Sequence, residues 1–127
     1  MSEIIIPEGY QRVMPYIIVK GSRGFLHFVK EVFGATEKMI VPGDNDTVRH
    51  GEVQIGESTI MFAEGNDQWK PMTAGLYIIV ANADEVYNKA LQAGAKSVME
   101  PANMDYGRSS GVEDVFGNTW WITSALA

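Results

Sequence analysis

The chain contains no cysteine, which excludes disulfides, thiolate nucleophiles and thiolate metal ligands, and leaves its redox compartment unmarked. It is also short of positive charge: ten Lys and Arg stand against sixteen Asp and Glu, a formal net charge of -6. Nucleic acid and anionic lipid both require a basic partner surface, so neither is an expected partner. No apolar run approaches the length that crosses a bilayer. The opening MSEIIIPEGY has neither the basic nor the hydrophobic region of a secretion signal, and a cytoplasmic protein without membrane partners is the expectation. Apolar material is plentiful, at 46% hydrophobic and 20% charged residues in 127, enough for one compact core.

That material is written twice. PYIIVKGSRGFLHFVKEVFGA, from Pro15 to Ala35, reappears in outline as LYIIVANADEVYNKALQAGA, from Leu76 to Ala95, with Tyr16 to Val19 recurring as Tyr77 to Val80 at an offset of 61. RHGEVQIGESTIMFAE and SGVEDVFGNTWWITSA align at the same offset, Glu52 with Glu113 and Ile60 with Trp121, while the helix ends Gly34 and Gly94 are out of step by one. A long period that occurs only twice signals an internal duplication rather than a solenoid. The expected organisation is one domain over 1–127, with module 1 at about 10–65 and module 2 at about 73–125.

Each module reads as a strand, a helix and three further strands. Arg12 to Val19 is rich in β-branched and aromatic residues; Ser22 offers an N-cap before Phe25, Phe28, Val29, Val32 and Phe33 recur at helical spacing, and Gly34 closes the helix. TEKMIVP, Val48 to Ile55 and Ser58 to Glu64 read as strands, with GDND and GES as turns and GNDQWKPMTAG as the linker. In module 2 the same plan gives Leu76 to Val80, a helix over Ala83 to Ala93, Lys96 to Met99, Gly111 to Val115 and Thr119 to Thr123. One helix covers one sheet face, so the other face must curl, pair or hold a ligand.

The duplicated plan, with PYIIVKG, RHGEVQIGESTIMFAE, LYIIVANADEVY and YGRSSGVEDVFGNTWWIT, resembles the vicinal oxygen chelate superfamily of glyoxalases, bleomycin-resistance proteins and extradiol dioxygenases, and within it the PhnB-like subgroup. The resemblance implies an α+β fold, two tandem βαβββ modules whose curved mixed sheets form a cup, and a homodimer. It places the family's metal on the opening and closing strands, at Met14, Gly75, Ile60 and Trp121. None of these is a metal ligand, and a shift of one residue gives Pro15, Leu76, Met61 and Ile122, which are no better. No cofactor is therefore expected, a divalent metal being conceivable only at an atypical site.

Strand alternation assigns Ile17, Val19, Val53, Ile55, Ile78 and Val80 to the helix side, and Met14, Tyr16, Ile18, His50, Glu52, Gln54, Tyr77, Ile79, Glu113 and Trp121 to the cup. The cup candidates are a lining for a small organic ligand. His50, Glu52 and Glu113 are candidate general acid and base groups or an off-position metal set, although polar residues at a solvated strand rim look the same. Trp120 and Trp121 must face opposite ways, which leaves Trp121 as a stacking surface and Trp120 for the core. Tyr16 and Tyr77 carry hydroxyls suited to ligand contacts or to a structural network. Arg108, in the stretch NMDYGRSSGVED, reads as part of a loop that closes on a ligand carboxylate or phosphate; an ordinary hairpin has the same composition. Met14 and Met61 flank the cup, where thioethers adapt to varied ligands or simply fill gaps.

Three functions follow as expectations. The first is a metal-free binding protein that sequesters a small apolar or aromatic molecule. The second is a metal-dependent lyase or isomerase of glyoxalase type, built on His50, Glu52 and Glu113. The third is a dimeric structural module whose cup packs on a partner.

Overall fold

The computed structural model describes residues 3–126. Module 1 is built from β1 (Tyr16–Val19), α1 (Ser22–Phe33), β2 (Thr36–Pro42), β3 (Val48–Ile55) and β4 (Ser58–Glu64). Module 2 repeats it as β5 (Gly75–Ile79), α2 (Ala83–Gln92), β6 (Lys96–Met104), β7 (Gly107–Glu113) and β8 (Thr119–Ala125). Each module folds into its own four-stranded mixed sheet, ordered β1-β4-β3-β2 and β5-β8-β7-β6. The opening strand lies parallel to the closing one in both. The expected α+β class and twin βαβββ plan are thus present.

Three local expectations need correction. Residues 12 and 13 bend and 14 and 15 are irregular, so none of them extends β1. Ser22 does not cap α1: Gly21 occupies the cap with φ 94°, a conformation open to glycine at little cost. The capping is supplied from β4, where the Glu64 carboxylate accepts hydrogen bonds from the Gly21 and Ser22 amides and the Ser22 hydroxyl at 3.0, 2.8 and 2.7 Å. Finally, the stretch from Glu100 to Gly111 is no long loop, because β6 and β7 run on to a tight hairpin at Asp105 and Tyr106. Asn82 caps α2 locally, its side chain accepting from the Glu85 amide at 3.1 Å.

The hydrophobic core is shared between the modules. Ile17, Val19, Phe25, Val29, Val53, Phe62, Val112, Trp120 and Ile122 are fully or nearly fully buried in one cluster. The helix side of module 1 meets that of module 2 through Phe33 and Trp120, with ring centroids 4.4 Å apart, and through Phe25 and Phe116 at 5.8 Å. Both sheets turn their helix-covered faces toward this core. Their other faces are therefore turned away from this core.

The turn after β7 is held by Asp114, which is buried and accepts hydrogen bonds from the Phe116 and Asn118 amides and from the Trp120 indole at 2.8 Å. Asn118 passes the order on, accepting from the Ala74 amide at the head of β5.

Candidate functional site

Two outward faces carry the candidate residues, and they differ in content. On module 1, the face of β1, β3 and β4 opens into a groove of 1210 Å³, walled by the loop after β2 and by the linker from Gly65 to Met72. The linker pairs with β1, Ile18 and Met72 exchanging backbone hydrogen bonds of 3.0 and 2.8 Å. This buries Ile18 to 8% exposure, although it lies on the outward face. Trp69 and Met72 remain more than half exposed over the same groove.

Beside that groove runs a chain of hydrogen bonds. Glu52 is 4% exposed and accepts from the Tyr10 hydroxyl at 2.5 Å and from His50 Nε2 at 2.7 Å. Burial alone would raise the Glu52 pKa. The hydrogen bonds from Tyr10 and His50 and the nearby positive charge of Lys38 outweigh it and hold the carboxyl below its ordinary range. The same bond raises the Tyr10 pKa, because a phenol beside a carboxylate keeps its proton. An ionised carboxylate only accepts, so His50 Nε2 must be the donor. In the neutral ring this leaves Nδ1 to accept from the Tyr16 hydroxyl, 3.1 Å away. Tyr16 and His50 thus carry the buried carboxylate's influence to the groove. The segment bearing Tyr10 is itself fastened to the sheet: Gly9 accepts from Gln54 and Thr59, and the Gln11 amide pairs with the Thr59 backbone.

On module 2, the outward face is bare. Tyr77, Ile79, Val98 and Trp121 are 55%, 59%, 47% and 40% exposed. Trp121 lies across Gly111, where an added Cβ would come within 2.6 Å of its ring. Ser109 and Thr123 bond to each other at 2.8 Å.

The strand register revises the repeat. Tyr16 sits opposite Met61, and Tyr77 opposite Trp121, so Trp121 answers to Met61 and not to Ile60. Ile60 is 6% exposed and packs in the helix-side core. In turn Met61 faces Glu52 while Trp121 faces Gly111, and Thr59 faces Gln54 while Thr119 faces Glu113. The counterpart of Glu52 is therefore Gly111, and that of Glu113 is Gln54. Unequal lengths of the turns and of the path through the second strand shift the register, and a shift of one or two residues is invisible to a fixed offset.

The structure brings Tyr16, His50 and Glu52 together on sheet 1, sets Met14 in the irregular segment before β1, and leaves Tyr77, Glu113 and Trp121 on sheet 2. Arg108 points elsewhere: its guanidinium forms two bonds to Asp84 of α2, at 2.9 and 3.1 Å, and one to Asn103. That pairing lowers the Asp84 pKa, and it clamps β7 to the helix instead of offering a free cation to a ligand. The groove's cation is Arg49, which sequence reading missed. It enters the outward face at an irregularity in the β2–β3 ladder near Pro42 and Val48. It has no ion pair among the described residues. Trp69 and Met72 were missed as well, because they belong to what reads as a linker.

With the register corrected, the four places where the resemblance puts a metal hold Met14, Met61, Gly75 and Trp121. Thioethers, an indole and a bare glycine do not fit a divalent cation. Among the described residues, no three His, Cys, Asp or Glu side chains are grouped so as to hold a metal ion. No described helix is long and apolar enough to cross a membrane.

The chain belongs to the glyoxalase/bleomycin resistance protein/dioxygenase superfamily, whose family model matches residues 10–122. Among solved structures it is similar to a PhnB protein from Bacillus cereus, 17% identical over 91% of this chain and 100% of that one, with a TM-score of 0.70. It is similar also to TioX from Micromonospora sp. ML1, 19% identical over 90% and 99% of the two chains, with a TM-score of 0.70. TnmS3, an antibiotic binding protein from Streptomyces sp. CB03234, is 16% identical over 91% and 98%, with a TM-score of 0.68. At such identities the likeness is one of fold. No curated protein matches the sequence.

Proposed function

We propose that this chain is a small-molecule-binding member of its superfamily, taking an apolar or aromatic organic ligand against the outward sheet face without the family's metal. The observation that carries the reading is the content of the four corner positions, thioether, thioether, glycine and indole, together with an open groove on module 1 lined by Tyr16, Trp69 and Met72. Such surfaces gain from burying planar carbon and gain little from a hydrated ion. The antibiotic-binding neighbour TnmS3 is consistent with this choice of ligand class.

On this reading the working unit is a homodimer. The groove of one chain is open on one side, and the exposed apolar residues Tyr77, Ile79, Val98 and Trp121 need cover. Module 1 of one chain and module 2 of the partner would close each cup together, since the groove and the exposed apolar face lie on separate sheets of a single chain.

The test has two arms. After treatment with chelator, addition of Ni, Zn, Mn or Fe should leave the melting temperature unchanged. An aromatic-compound library should contain members that raise it, by an amount set by their concentration over Kd, and that quench tryptophan emission. The quench should weaken in both Trp69→Leu and Trp121→Leu. A large metal-dependent stabilisation that disappears in His50→Ala would favour the lyase or isomerase. Sedimentation should show a dimer at micromolar concentration, and a stable monomer with full ligand affinity would refute the paired cup.

A further inference from the structure

The hydrogen-bond chain on module 1 has a direction. Its inner end is the ionised, buried Glu52, fixed by Tyr10; its middle is His50, whose ring is oriented by the 2.7 Å bond to that carboxylate; its outer end is the Tyr16 hydroxyl, 48% exposed at the wall of the groove. A histidine held in one tautomer by a carboxylate presents its other ring nitrogen as a proton acceptor. Arg49 lines the same groove with no ion pair among the described residues. A proton acceptor and an unpaired cation on one aromatic wall suit a ligand that gives up a proton and keeps the charge.

We infer that the groove takes an aromatic ligand bearing an acidic hydroxyl, a phenol or enol, and binds it as the anion; this rests on the binding reading above and specifies its ligand. The ligand O–H bond breaks and its proton passes to the Tyr16 oxygen. The Tyr16 hydroxyl proton moves to His50 Nδ1, and the resulting imidazolium remains bonded through Nε2 to Glu52. Tyr16 is neutral before and after, the ligand gains one negative charge and His50 gains one positive charge. Arg49 lines the same groove as the anion. The other charged groups nearby oppose it little or are already engaged: Lys38 lies 4.4 Å over the Tyr10 ring, Glu64 is turned to the start of α1, and Asp44 sits at the outer loop, exposed. Tyr77 on module 2 has no such chain behind it, because Ser109 and Gly111 stand where module 1 has His50 and Glu52.

The probe is para-nitrophenol, whose phenol and phenolate absorb differently, compared with its methyl ether para-nitroanisole on the full-length protein. We expect the bound phenol to titrate at least about one unit below its free value, which is a roughly tenfold preference for the anion. The ether should bind about tenfold more weakly. Tyr16→Phe, an exposed change that leaves the His50–Glu52 bond intact, and His50→Gln should both abolish the shift. Arg49→Met should weaken the phenolate selectively. Should the phenol bind with its titration unmoved, or should Tyr16→Phe leave the shift in place, the proton-accepting role is overturned while the binding reading stands. Binding of neither probe overturns both together.

Discussion

The two modules have one plan and two characters. Module 1 buries a carboxylate beneath its outward face and covers part of that face with the N-terminal segment and the linker. Module 2 leaves its outward face flat, with an indole lying over a glycine and two neighbouring side chains half in water. Their helices differ similarly. α1 is capped from across the sheet by Glu64, and α2 by its own Asn82. The doubled scaffold thus carries two different faces, one with a buried polar chain and the other with exposed apolar side chains.

The sharpest break in that comparison lies between two adjacent tryptophans. Trp120→Ala should cost about 3–5 kcal/mol by chemical denaturation, because Trp120 is 1% exposed against Phe33. Trp121→Ala should cost less than about 1 kcal/mol. Equal losses would mean that the outward face of module 2 is structural.

The glycines give the next largest contrast. An added Cβ at Gly51 would meet the Phe62 ring at 2.4 Å, and Phe62 is wholly buried. Gly51→Ala should therefore destabilise by about 1–3 kcal/mol. Gly111→Ala meets the Trp121 ring at 2.6 Å, but that ring can swing into solvent, so the expected cost is below about 1 kcal/mol with a changed tryptophan emission.

Capping comes third. Glu64→Ala strips the acceptor from two amides and a hydroxyl at the start of α1 and should cost about 1–2 kcal/mol, against about 1 kcal/mol for Asn82→Ala. Comparable losses would erase the distinction between a cap built by tertiary contact and one built locally.

The smallest effect is one of pH. Burial would raise the Glu64 pKa, but the Ser22 and Gly21 hydrogen bonds and the Lys20 charge hold it below its ordinary value, and Glu52 is likewise depressed. For a carboxyl whose folded pKa lies below its unfolded one, the stabilisation is complete above the unfolded value and is lost as pH falls through the folded one. The melting temperature should therefore drop as pH is taken below the unfolded carboxyl value of about 4.3. Glu64→Gln and Glu52→Gln should each flatten that drop.

Much of this was legible in the chain. Helix-side Ile17, Val19 and Val53 and outward Tyr16, Tyr77, Ile79 and Trp121 follow from alternation alone, since successive strand residues must face opposite ways. The failures share a cause. Ile60, Glu113 and Ser22 were placed by counting along one strand or one helix, whereas their surroundings depend on how a neighbouring strand is registered or on a carboxylate that arrives from another element. Arg108 looked free because its partner Asp84 lies in a helix, and Arg49, Trp69 and Met72 looked inert because a linker's path over a sheet leaves no periodic trace.

By itself the sequence determined the doubled βαβββ plan and the facing of most strand residues, because periodicity is a local property of the backbone. The tertiary structure alone decided that each outward face is turned away from one shared core, because both helices bury their apolar stripes in it. For the same reason the candidate residues form two groups, with the Tyr10–Glu52–His50–Tyr16 chain on one sheet and the exposed tryptophan on the other.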